Sequence, residues 1–135
     1  MSTAGYSGTP LVKKLGIKAE MSILLIHAPA DYFLWLGTDI SHQLVSRPPA
    51  NLVHIFSTSK KELAASFNGL IKKLPADAAI WISWYKKSAN IPTDITEDVI
   101  REIVLPTGWV DVKVCAVSEQ WSGLKIVQRV EHRKK

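Results

Sequence analysis

Apolar positions along the chain fall into short unbroken runs separated by stretches of helical spacing, the pattern of a sheet layered with helices. Ile23 to Ile26 and Leu52 to Phe56 are near-continuous apolar runs, as expected of central parallel strands covered on both faces, and Ala78 to Trp84 is a third. After the second run, Ser59 and Glu62 stand in capping-box spacing. Leu63, Phe67, Leu70, Ile71 and Leu74 then line one stripe of a helix, with Lys60, Lys61, Lys72 and Lys73 largely off it, and Pro75 ends it. Another helix starts within Thr93 to Thr96. Asp94 or Thr96 caps it, Glu97 and Asp98 sit in the first turn where the helix dipole favours acids, and Val99, Ile100, Ile103 and Val104 form the buried face. Near the N-terminus, Thr9, Pro10 and Gly16 punctuate a short helix, and Asp31 to Leu36 reads as a helical turn closed by Gly37. A short strand fits residues 42–45, and the paired prolines of "SRPPAN" mark a loop. Val110, Val112, Val114 and Ala116 alternate with Asp111 and Lys113, and "GLKIVQRV" follows, which predicts an antiparallel hairpin.

Strand, helix, strand, helix and a final hairpin predict an α/β protein: a Rossmann-like three-layer sandwich, mostly parallel, with a C-terminal antiparallel hairpin. The 135 residues, 47% apolar and 21% charged, suit one domain over 1–135, with 1–20 as an N-terminal arm and short helix. The net charge of +5 drops to +2 without Arg133, Lys134 and Lys135, so much of the basicity belongs to a tail at 131–135. Such a tail solubilises, and its contact with nucleic acid is expected to be weak. No run is long enough to cross a bilayer, "MSTAGYSGTP" is not a secretory signal, and the single Cys115 forms no internal disulfide. The expectation is a cytoplasmic protein without membrane contact. His27, His42, His54 and His132 have no metal-ligand spacing, so no metal is expected.

"KKLGIKAEMSILLI", "LPADAAIWISW" and the hairpin from Trp109 to Val130 resemble parts of the class I S-adenosylmethionine-dependent methyltransferase fold, in truncated form. "GYSGTPLVKKLGI", "ADAAIWISWYKKS", "PTD" and "GWVDVKVCAVSEQWSGLK" resemble a small bacterial family that brings no established activity. The methyltransferase resemblance implies a cofactor loop with glycines after the first strand, where backbone approaches ligand closely. Here the loop is His27, Ala28 and Pro29, and Pro29 lacks an N–H. No acidic residue follows the weak strand near Leu44, which continues Val45, Ser46, Arg47. No cofactor is therefore expected.

Ligands of open α/β sheets bind beyond the strands' carboxyl ends. Those ends supply His27 with Asp31 nearby, then Ser57, Thr58 and the helix start at Ser59, then Trp84, Lys86, Lys87 and Ser88. Imidazole, hydroxyls, ammonium groups and a helix N-terminus would suit a small anion; equally, the hydroxyls cap a helix and the lysines solvate a loop. His27 is either a general base or a hydrogen-bonded core side chain, and His54 packs within its strand. Trp81 and Trp84, three apart, belong to opposite sheet faces, with Trp84 placed to stack a ligand. Cys115 is expected to act as a small apolar side chain. Tyr6, within "GYSGTP", is a candidate to cover the site. Three functions follow: a non-catalytic binding or regulatory module on a degenerate methyltransferase-like scaffold; an enzyme acting on a small anion through His27, Thr58, Lys86 and Lys87; or a nucleic-acid accessory protein. A homodimer through the hairpin edge or through exposed tryptophans is a further expectation.

Overall fold

In the computed structural model, which describes residues 10–129, the strands are β1 (Ile23–Ile26), β2 (Leu44–Val45), β3 (Leu52–Phe56), β4 (Ala79–Tyr85), β5 (Trp109–Ala116) and β6 (Trp121–Gln128). The helices are α1 (Leu11–Leu15), α2 (Tyr32–Leu36), α3 (Lys60–Leu70) and α4 (Glu97–Val104). One sheet runs in the order β2-β1-β3-β4-β6-β5. Strands β1 to β4 are mutually parallel, and the β5–β6 hairpin joins β4 antiparallel. The chain thus has the expected α/β Rossmann-like architecture. No helix among the described residues is long and apolar enough to cross a membrane.

Strand alternation divides the core into two layers. Leu24, Val53, Ile55, Ile80, Ile82 and Trp84 pack with α3 and α4. Ile23, Leu52, Phe56, Trp81 and Trp121 pack with α1 and α2 on the other face. Trp81 and Trp84 do fall on opposite faces, and the Trp81 Nε1–H donates to the Leu15 carbonyl at 3.0 Å, tying α1 to the sheet. Gly16 closes α1 at φ 78°, where a Cβ would be strained.

Two local expectations shift. The proposed strand at 42–45 shortens to Leu44–Val45 behind a 3-10 turn at Ser41–Gln43. The apolar alternation of β5 does not produce a buried face throughout: Val112 and Val114 are 51% and 53% exposed. β5 is the sheet's edge strand, and its register with β6 shifts between Asp111 and Lys113. Inside the edge, the Arg101 Nε–H donates to Asp111 at 3.0 Å and its other nitrogens reach Glu97 and Asp98, joining α4 to β5.

One connection is unusual for a parallel sheet. From β2 to β3 the chain crosses β1 with only the six residues 46–51, where parallel crossovers usually take a dozen or more and a helix. Ala50 joins the α3–α4 core layer, so the crossing is on that side.

Candidate functional site

The strand order reverses between β1 and β3, which makes the carboxyl ends of those strands the topological switch point. Chain direction leaves β1 through His27, whose φ of 58° is left-handed, a position that favours glycine. Its imidazole is exposed. Of the two alternatives for His27, the buried hydrogen-bonded side chain is overturned, because the left-handed bend turns this residue out of the strand into solvent. Ala28 packs back against the α1–α2 layer, and the Pro29 carbonyl accepts the Tyr32 N–H at 3.0 Å to open α2. Asp31 occupies the N-cap position of α2, exposed and without a side-chain capping bond.

At the end of β3, Ser57 is buried. Its hydroxyl donates to the Ser59 carbonyl at 3.2 Å and accepts the Ser59 N–H at 3.3 Å. Ser59 Oγ accepts the Glu62 N–H at 3.2 Å, the first half of the capping box. The Lys60 N–H donates to the Asp94 carboxylate at 2.6 Å. Thr58 keeps an exposed side chain, while its carbonyl accepts from the Thr93 hydroxyl at 3.1 Å and the Asp94 N–H at 3.3 Å. The start of α3 is therefore already served by acceptors from the chain itself. A carboxylate sits where an incoming anion would have to go.

At the end of β4, Trp84 is only 9% exposed and belongs to the α3–α4 core layer. Its ring is consumed by packing, which removes it as a stacking surface. Tyr85 stacks on Trp121 at 3.9 Å. Lys86 is half-buried with its N–H bonded to the Gln120 carbonyl at 2.8 Å, and Lys87 and Ser88 are exposed in the turn that follows. The structure thus leaves His27, Asp31, Thr58, Lys87 and Ser88 open at one end of the sheet, while Ser57 and Trp84 are enclosed. Tyr6, the proposed cover over this end, lies outside the described residues, as does the tail at 131–135. Among the described residues, no three His, Cys, Asp or Glu side chains gather where they would hold a metal ion. Cys115 is half-buried, and burial pushes its thiol up, away from the reactive thiolate.

The buried, bonded histidine is His54. Its Nδ1 lies 2.9 Å from the Tyr32 hydroxyl and its Nε2 lies 2.7 Å from Ser83 Oγ. All three residues are fully buried. Burial pulls the His54 pKa down to about 3 and holds the Tyr32 phenol well above its ordinary range. Phe56 stacks on the imidazole at 4.4 Å, and Tyr32 meets it edge-on at 5.2 Å. The trio pins α2 to β3 and β4. A polar residue inside the run "LVHIF" was the sequence signal for it.

The cleft nearest the switch point starts at His27 and runs down β1 beside α3. It has a volume of about 540 Å³. Leu24, Ile26 and Leu70 line it, Ser46 to Pro48 form one wall, and Ala65, Ser66 and Gly69 of α3 form the other. Arg47 and Lys73 also line it, and among the described residues no acid does. A second cleft of similar size lies beside α2, between Phe33 and Leu44. There Phe33 and Leu34 are 45% and 77% exposed.

No protein-family profile matches the sequence, and no curated protein matches it either. Solved structures do match by shape. A tRNA methyltransferase of B. subtilis, TrmK, superposes with a TM-score of 0.59 at 10% identity, covering 95% of this chain and 67% of that one. A ribosomal protein L11 methylase from Lactobacillus delbrueckii subsp. bulgaricus gives 0.55 at 10%, over 88% and 75%. A putative type 11 methyltransferase from Sulfolobus solfataricus gives 0.55 at 14%, over 93% of both chains. At such identities the likeness speaks for the fold alone. The chain has a methyltransferase-like Rossmann fold.

Proposed function

We propose that the protein is a non-catalytic binding or regulatory module built on a methyltransferase-like scaffold whose cofactor site has been lost. The observation that carries this reading is the switch point itself. Its first loop is His27-Ala28-Pro29 with a side chain at the left-handed position, in place of glycines that let backbone approach a ligand. Two further features support it. The first α3 donors are taken by Ser59 and Asp94, and β2 ends in Ser46 and Arg47, which offer no carboxylate to a ribose. The cleft nearest the switch point runs down β1 beside α3.

The test is titration of the chain with S-adenosylmethionine, followed by calorimetry and thermal unfolding. A ligand held at a hundred times its Kd adds about 2.7 kcal/mol, which raises Tm by roughly 10 °C in a domain of this size. The expected result is no heat and no change in Tm; saturable binding overturns the reading. An enzyme acting on a small anion is the second reading, favoured by the exposure of His27, Thr58 and Lys87 at one sheet end. It requires that a Lys87→Ala variant lose affinity for inorganic phosphate or a simple carboxylate.

A further inference from the structure

We infer that the cleft between β1 and α3 is a docking groove for an amphipathic helix with acidic flanks, supplied by a partner protein. This rests on the reading of the chain as a binding module and names what it binds.

The layer of helices over this face lacks an element. A parallel sheet is normally covered on both faces, and each crossover usually contributes a helix. β1 to β2 is bridged by α2, and β3 to β4 by α3, but β2 to β3 is bridged by six residues without one. The cleft lies beside that crossover, with Leu24 and Ile26 of β1 at its floor. It is a vacancy in the helix layer.

The α3 wall has a shape that suits a helix. Ala65 and Gly69 are one helical turn apart and both are exposed. A Cβ added at Gly69 would meet nothing within 4 Å. Small side chains at that spacing let a second helix approach closely, and the apolar floor gives its buried stripe somewhere to go.

Charge points the same way. Arg47 and Lys73 line the cleft, and among the described residues no Asp or Glu does. An occupant with acids beside its apolar stripe is complementary, and a basic one is repelled. The chain's own flanking segments offer no surplus of acid. Residues 1–9 contain no acid, and 130–135 contain Glu131 against Arg133, Lys134 and Lys135.

The experiment uses the full chain, isotope-labelled, with amide shifts read by NMR. The probe is a stapled helical peptide with a leucine stripe flanked by glutamates, compared with the same peptide carrying lysines. The acidic peptide is expected to shift residues 24–27, 46–48 and 65–73 saturably, and the lysine peptide to leave them unmoved. Arg47→Glu combined with Lys73→Glu weakens the acidic peptide by about tenfold or more. Gly69→Leu fills the groove with a better helix former, so it raises Tm while abolishing the shifts.

Four results overturn the inference. They are no shift at these residues with peptide at about millimolar concentration, equal binding of both peptides, shifts centred on Phe33 and Leu44, or a concentration-dependent dimer that covers the cleft. S-adenosylmethionine added to the same sample keeps the two readings apart. Its binding at residues 27–31 would sink the lost-cofactor reading, while the peptide result stands or falls by itself.

Discussion

His54 has both ring nitrogens engaged from outside its own strand, by Tyr32 ahead of it and Ser83 behind it. Removing one hydroxyl leaves a buried nitrogen unpaired, which costs about 1–3 kcal/mol. Tyr32→Phe is therefore expected to lower unfolding stability by that amount in urea titration, with little change in shape. Protonation has a direction too. The unfolded chain binds a proton at His54 near the ordinary histidine value, and the folded chain resists until about pH 3. Stability contributed by the neutral ring is complete above the unfolded pKa and is lost as pH falls toward the folded one. Between those limits the loss is about 1.4 kcal/mol per pH unit from this group. In His54→Gln, the stability-against-pH curve should be shallower than the parent's by about one proton over pH 6 to 4; an identical slope rejects the assignment. The sequence showed that a histidine lay within an apolar strand, and packing there was the expectation. It could not show the partners, which come from 22 and 29 residues away. His27 ends a strand, a place where sequence alone leaves burial open, and its left-handed backbone turns it to solvent.

Helix α3 shows how far an element can be read locally. Ser59 and Glu62 announced its start, and Leu63, Phe67 and Leu70 are buried as their spacing required. The other cap was ambiguous, because Asp94 and Thr96 both precede α4. Thr96 caps α4, its Oγ1 accepting the Val99 N–H at 3.2 Å, while Asp94 reaches across to the first turn of α3. That division of labour is tertiary and has no local signature. Asp94→Ala should destabilise by about 1 kcal/mol, the usual worth of a capping side chain. Asp94→Asn should retain part of it through the remaining oxygen, and the difference between the parent and Asp94→Asn should shrink at high salt. Both are read from denaturant midpoints. At the other end of the same helix, Gly69 is the last residue but one, and a Cβ there would meet open space. Gly69→Ala should therefore stabilise by about 0.5–1 kcal/mol. A loss of stability would mean that the site is more crowded than the geometry allows.

On the scale of the whole molecule, the run of elements in the sequence was enough for the sheet, its parallel half and its hairpin. Residues 34–51 are too few for two full helix–strand units. What the spacing left open was where the shortage would fall. It falls on the crossover past β1, which passes over the α3–α4 side of the sheet without a helix, while α1 and α2 pack on the opposite side. Exposed Val112 and Val114 on β5 are a lesser gap of another kind, since an edge strand lacks a neighbour by definition. If the shortage is a matter of local chain length and nothing else depends on it, the fold should accept the missing piece. Lengthening the six-residue connection by about fourteen residues costs close to 1 kcal/mol of closure entropy, because each doubling of a flexible loop adds about 0.6. An inserted amphipathic helix between Ser46 and Arg47, apolar toward Leu24 and Ile26, recovers some of that by burying apolar surface. The expected variant keeps the parent's circular dichroism plus the added helix, stays within about 1 kcal/mol of its stability, and no longer shifts with the acidic peptide. Collapse of the fold on insertion would show that 46–51 braces the β1 face itself, and that the cleft beside it is not a vacancy waiting for a helix.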